Sequence, residues 1–204
     1  MSSQKFSNPT GKVTVQRDLL DIEYCEDFFS EVDANGWFEY LAAKIPWERR
    51  EIFIMGKKIL QPRLICWYGD VEYTYSRSTL PSRKWTPQLQ ELKTIVEEYA
   101  QQKFNSCLLN FYRDGKDSMG YHSDDEKVLG KNPFIASLSF GGKRRFVLKH
   151  KKDKSIEKVE IELGNGSLLL MKSQTQHYWL HGIPKTQKEV KPRINLTFRW
   201  TYPK

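Results

Sequence analysis

From Asn105 onward the sequence breaks into six short β-rich segments, CLLNFYR, FIASLSFG, RRFVLKH, EKVEIELG, GSLLLMK and RINLTFRW, separated by Asp-Gly, Gly-Gly and Gly-Asn-Gly turn signals. Helical periodicity comes before them. The acidic stretch from Asp18 to Trp47 spaces Leu, Phe and Trp as in one or two amphipathic helices and stops at Pro46. A second candidate, TPQLQELKTIVEEYAQQKF, opens with Thr86 as N-cap and Pro87 in the first helical position. Helices followed by six or more strands predict an α+β domain whose sheet closes into a jelly roll or barrel. A chain of 204 residues suits one domain, expected over residues 18–204 behind a flexible polar tail at 1–17. No apolar run approaches the roughly 18 residues that would span a bilayer, so no membrane role is expected.

Three distant cysteines, Cys25, Cys66 and Cys107, argue against a disulfide framework and against a cysteine-based metal site. The polar opening lacks a secretory signal, so the expected compartment is reducing: cytoplasmic in a bacterium, nuclear in a eukaryote. Net charge is +8, unevenly spread. Residues 18–39 carry acids only, whereas Lys143, Arg144, Arg145, Lys149, Lys151, Lys152 and Lys154 face the single acid Asp153. Such a tract fits nucleic-acid phosphates, and it also fits a solvated hairpin with lysines on its edges.

In the last segment Arg193, Asn195, Thr197 and Arg199 alternate with Ile194, Leu196 and Phe198, so two arginines share a strand face. Leu108, Asn110 and Tyr112 share a face in the same way. An edge strand with a wet face gives this alternation, and so does a barrel interior that holds a dicarboxylate in arginine forks. A second signal is His122-Ser123-Asp124 with a distant histidine. Two histidines and one carboxylate form the facial set of non-haem Fe(II) oxygenases and leave three coordination positions open. His181 is the expected third ligand, with His177 and His150 as competitors.

Taken together, Asn110-Phe111-Tyr112, His122-Ser123-Asp124, His181-Gly182 and Arg193-x-Asn195-x-Thr197-x-Arg199 resemble the AlkB family of Fe(II)- and 2-oxoglutarate-dependent dioxygenases, most closely the branch that repairs duplex DNA. The resemblance runs from about Gly56 to Trp200. It implies a double-stranded β-helix core with a nucleotide-recognition lid over residues 50–85. It also implies that His122, Asp124 and His181 bind iron and are the catalytic set. Arg193 with Tyr112 would hold the distal carboxylate of 2-oxoglutarate, Asn110 and Arg199 would reach its metal-proximal end, and Asn195 would assist. The implied reaction is oxidative demethylation of bases such as 1-methyladenine and 3-methylcytosine in DNA, using O2 and releasing formaldehyde, succinate and CO2.

Substrate contacts are expected in and beyond the lid. Tyr73 and Tyr75 alternate onto one face as a stacking platform would, with Ser76 beside them, although two tyrosines in a hairpin also pack across strands. Asp125 and Glu126 follow the metal pair as acceptors for an exocyclic amine and as a preference for cationic bases, or as solvated loop acids. Lys185, Lys188 and Lys191 resemble a basic loop that grips the opposite strand. Met55 is either an apolar wedge entering the base stack, where the family's best-matched members carry an aromatic, or a core residue ending a buried Ile-Phe-Ile-Met strand. The expected partner is alkylated DNA, single- or double-stranded, with RNA next in line, and the expected state is a monomer. Two other readings stay open: an oxygenase of this core acting on RNA, protein or lipid, and a non-enzymatic nucleic-acid-binding module.

Overall fold

The computed structural model describes residues 11–54, 57–71, 73–75, 78–80 and 82–203. The chain runs β1 (Lys12–Arg17), β2 (Leu20–Cys25), α1 (Glu31–Lys44), β3 (Glu51–Ile54), β4 (Lys57–Leu60), β5 (Leu64–Gly69), β6 (Tyr73–Tyr75), β7 (Ser78–Leu80) and α2 (Pro87–Ala100). It continues through β8 (Ser106–Tyr112), β9 (Met119–His122), β10 (Ile135–Gly141), β11 (Arg144–His150), β12 (Val159–Leu163), β13 (Ser167–Met171), α3 (Thr175–Tyr178), β14 (Trp179–Ile183) and β15 (Arg193–Arg199). A seven-stranded sheet has the order β1-β2-β13-β10-β15-β8-β5, and a four-stranded sheet has the order β12-β11-β14-β9. Every adjacent pair in both is antiparallel. Two separate hairpins, β3-β4 and β6-β7, fall in the expected lid.

The helices form where local chemistry starts them. Ser30 Oγ accepts from Asp33 N at 3.1 Å, and Thr86 Oγ1 accepts from Leu89 N at 3.2 Å. Each cap meets a donor that would otherwise be orphaned and is worth about 1 kcal/mol. Both helices cover one face of the large sheet, where Leu41, Leu89, Leu92 and Val96 pack with Ile194, Leu196, Phe198 and Leu138. The other face meets the small sheet through Leu20, Ile22, Leu169 and Met171 against Phe146, Leu148 and Trp179. Two sheets packed face to face in this way make the jelly roll that the strand run predicts.

The helical reading of residues 18–47 is corrected over its first part, since Leu20–Cys25 is a strand paired with β1 and β13. Leu20, Ile22 and Tyr24 alternate with Asp21 and Glu23, and that period of two places the apolar residues between the sheets. Helix α1 then ends at Lys44, before Pro46. Of the expected tail, Lys12–Arg17 form β1. Strands β9 and β14 lack the β-rich composition of the six segments and escape a reading by composition. Among the described residues no helix is long and apolar enough to cross a membrane.

Candidate active site

His181 on β14 pairs directly with His122 on β9, and their rings lie 4.3 Å apart between centroids. Gly182 permits this approach: a Cβ there would come within 2.9 Å of the Met119 carbonyl. Asp124 follows two residues after His122, and one ligand atom from each of the three side chains lies within 4.8 Å of the others. His122 Nδ1 is 2.9 Å from the Gly120 carbonyl, which can only accept, so Nδ1 is the donor and Nε2 is the ring nitrogen available as a ligand. Burial, then the nearby His122, pushes the His181 imidazole down to about 3, which keeps it neutral near pH 7. Its Nδ1 is buried without a hydrogen-bond partner.

Asp124 is held from two sides. Arg199 Nη2 donates to both carboxylate oxygens at 2.8 and 2.9 Å, and Asp124 N donates to Gln176 Oε1 at 2.9 Å. Burial alone would raise the carboxyl, but the Arg199 charge and the two histidines outweigh it and hold it below the usual carboxylate range. Two imidazoles beside an ionised carboxylate are the donor set of a divalent transition metal. His177 and His150 stand apart from it: the His177 ring contacts Lys131 O and Asn132, and the His150 ring accepts from Asp153 N.

The polar face of β15 points into the same cavity. Arg193, Asn195, Thr197 and Arg199 line it with Asn110, Tyr112 and the three candidate ligands, closed by Leu108, Met119, Phe146 and Ile183. The edge-strand alternative is thereby set aside, because β15 lies between β10 and β8 with both faces covered. Arg193 is 1% exposed and pairs in register with Tyr112. Its guanidinium lies 5.2 Å from the Tyr112 ring centre, and Nη2 donates to Ser139 Oγ at 2.9 Å. Nε and Nη1 are buried with no hydrogen-bond partner. Donors left open on a buried guanidinium that lines the cavity fit the oxygens of an anion such as a carboxylate.

Other expected contacts have partners within the protein. Asn195 donates to Ser137 Oγ and Leu138 O, and its Oδ1 accepts from Thr197 at 2.9 Å. Asn110 Oδ1 accepts from Arg63 Nε at 2.7 Å, a buried arginine the sequence presents only as one of many surface bases. Asp125 pairs with Lys151 at 2.7 Å, and Glu126 precedes a short 3-10 turn, Lys127–Leu129. The basic tract is also corrected: Arg144 is 3% exposed and faces the interior, so it leaves the surface patch. Lys143, Arg145, Lys185 and Lys188, with the largely buried Arg144, line a cleft of about 280 Å3. Tyr68 of the expected lid is buried in the core. Tyr73 and Tyr75 are placed by strand register, opposite Leu80 and Ser78. Met55 and Ser76 lie outside the described residues.

A model of the 2OG-Fe(II) oxygenase superfamily matches residues 21–199. The chain is 44% identical over 187 residues to the bovine (Bos taurus) alpha-ketoglutarate-dependent dioxygenase alkB homolog 3, covering 88% of this chain and 65% of that protein. It is 37% identical over 229 residues to the DNA oxidative demethylase ALKBH2 of Arabidopsis thaliana, covering 98% and 72%. The chain thus spans a little under two thirds of the length of alkB homolog 3. Among solved structures, that of OsALKBH1 superposes with a TM-score of 0.67 at 17% identity over 93% of this chain and all of that one, a likeness of fold.

Proposed function

Because the chain belongs to the AlkB family of the 2OG-Fe(II) oxygenase superfamily, we propose that it removes alkyl groups oxidatively from nucleic-acid bases, with 1-methyladenine and 3-methylcytosine in DNA as its substrates. The family's cofactors are Fe(II), 2-oxoglutarate and O2. One observation carries the reading: a two-histidine, one-carboxylate cluster and the open donors of a buried arginine share a single cavity. His122, Asp124 and His181 would hold the metal, and Arg193 beside Tyr112 would take the distal carboxylate of 2-oxoglutarate. When bound, iron and 2-oxoglutarate activate O2 to hydroxylate the base's methyl carbon, which then leaves as formaldehyde while the cosubstrate becomes succinate and CO2.

The chain's own residues supply order. Arg199 keeps Asp124 ionised and oriented, and the Gly120 carbonyl fixes the His122 tautomer. Ser139 Oγ and the Tyr112 ring hold Arg193 in place, while Asn195 and Thr197 bond to each other on the same face of β15. Leu108, Phe146 and Ile183 supply an apolar part of the cavity wall. A base within a duplex cannot reach such a cavity and has to be extruded, which costs least for a lesion that already breaks pairing. Exposed bases at Lys149, Lys152 and Lys154 and in the loop after Ile183 supply positive charge for phosphates.

The test is formaldehyde and succinate release from oligonucleotides carrying 1-methyladenine or 3-methylcytosine, in DNA and in RNA, with unmodified strands as controls. Turnover is expected on methylated DNA and should weaken as salt rises through counterion release. Uncoupled succinate formation that ignores the methylated base would overturn the reading. For the lid, Tyr75→Ala is expected to lower activity on methylated strands about tenfold or more, since stacking on an aromatic is worth roughly 1–3 kcal/mol per base. Equal kcat/KM for Tyr75→Ala and wild type would leave the hairpin a packing element.

A further inference from the structure

Arg144 opens β11 on the face it shares with Phe146 and Leu148, and it is buried with them. A guanidinium is costly to bury unless its donors are met. Here backbone carbonyls meet them: Nη1 donates to Asp114 O at 3.0 Å, and Nη2 donates to Asp117 O and Pro184 O, each at 2.9 Å. The Asp117 carboxylate is taken by Arg113, which grips both oxygens at 2.8 and 2.9 Å. The Arg144 charge therefore stays inside the protein with no carboxylate bonded to it. Its Cζ lies 5.6 Å from the Tyr112 ring centre, and Arg193 lies 5.2 Å from that same centre. The Tyr112 ring thus stands against two buried guanidinium groups, each attracted to its π-electrons.

We propose that Arg144 is a positioning residue for 2-oxoglutarate, holding Tyr112 and the two loops behind it so that the Tyr112–Arg193 pair is preset for a distal carboxylate. The inference rests on reading that pair as the cosubstrate's anchor. Tyr112 ends β8 and Ile183 ends β14, so the loops 113–118 and 184–192 leave those strands directly after two residues that line the cavity. Arg144 bonds both. They are docked tightly: Thr186 N donates to Gly115 O at 2.9 Å, and a Cβ on Gly115 would come within 2.4 Å of Thr186 O. Arg144 also adds a second positive charge behind the tyrosine, and an incoming dicarboxylate would offset that field. A ligand that binds only the metal gains nothing from it.

That difference defines the experiment. Arg144→Gln removes the charge and the three-carbonyl grip, while Arg144→Lys keeps a charge but cannot reproduce the planar fork. Each protein is loaded with Mn(II) and titrated calorimetrically with 2-oxoglutarate and separately with pyridine-2-carboxylate, a metal chelator without a distal carboxylate. KM for 2-oxoglutarate and kcat are measured with Fe(II), and melting temperature in parallel. For Arg144→Gln, 2-oxoglutarate affinity is expected to fall about tenfold or more, or about 1.4 kcal/mol. KM should rise to match, with kcat and pyridine-2-carboxylate affinity within about threefold of wild type, and Arg144→Lys should fall between the two. Equal weakening of both ligands, or a lowered melting temperature with 2-oxoglutarate affinity intact, would overturn the proposal. Wild-type protein that binds pyridine-2-carboxylate but not 2-oxoglutarate would overturn the reading of the cavity itself, and the proposal with it.

Discussion

Asp124→Ala should lose both metal binding and several kcal/mol of stability, whereas His122→Ala should lose the metal alone. The difference follows from burial. Asp124 is the bonded counter-charge of Arg199, with both side chains about 5% exposed, so deleting the carboxylate takes a hydrogen-bonded counter-charge away from a buried guanidinium. Removing one partner of a buried ion pair typically costs about 3–5 kcal/mol. For a chain of this size each kcal/mol moves the melting temperature by roughly 2–4 °C, so a fall of about 6–20 °C is expected. His122 is only half-buried and bonds to a local carbonyl, so its loss takes no bonded counter-charge from a buried ion. Both variants should show no succinate formation, and Fe(II) or Mn(II) titration should show no binding. The double variant Asp124→Ala/Arg199→Met should recover much of the stability and none of the metal affinity. An Asp124→Ala protein as stable as wild type would mean that the pair with Arg199 does not organise the site.

The site was legible in the sequence because its chemistry is written in period-two spacing. His122 and Asp124 are two apart, and so are Arg193, Asn195, Thr197 and Arg199, which is what a strand needs to aim residues at one cavity. The sequence could not decide whether that face was wet, since an edge strand alternates in the same way. The answer lies in what covers the other face, and helices α1 and α2 do so from more than 90 residues away in sequence. Arg144 was misread because a run of bases looks like surface, although its period-two partners Phe146 and Leu148 already marked it as inward. The same oversight turned Leu20–Cys25 into a helix: acidic residues between apolar ones fit both periodicities over six residues, and pairing with β13 breaks the tie. Arg63 left no local sign at all. Its role depends on Asn110, 47 positions away, and on two strands pairing as β5 and β8 do.

Arg193→Met is expected to separate function from stability in the opposite direction to Asp124→Ala. Arg193 is a buried cation with two open donors, its pKa pushed down by burial to about 10, with one hydrogen bond to Ser139 and the Tyr112 ring beside it. Each unmet buried donor costs about 1–3 kcal/mol. Methionine fills much of the volume with no polar atom, giving up one hydrogen bond and a cation–π contact worth about 1–2 kcal/mol each. The losses and gains nearly cancel or favour the variant, so its melting temperature without ligand should equal or exceed that of wild type. Binding goes the other way. Two charge-assisted hydrogen bonds to a carboxylate at about 1.5–3 kcal/mol each correspond to roughly 100-fold or more in 2-oxoglutarate affinity. Wild type at 100 times its Kd gains about 2.7 kcal/mol of ligand stabilisation, seen as a clear rise in melting temperature, and the variant at the same concentration should show almost none. A wild-type-sized shift in Arg193→Met would mean that the cosubstrate's distal carboxylate is held elsewhere, and the open donors of Arg193 would then need another occupant.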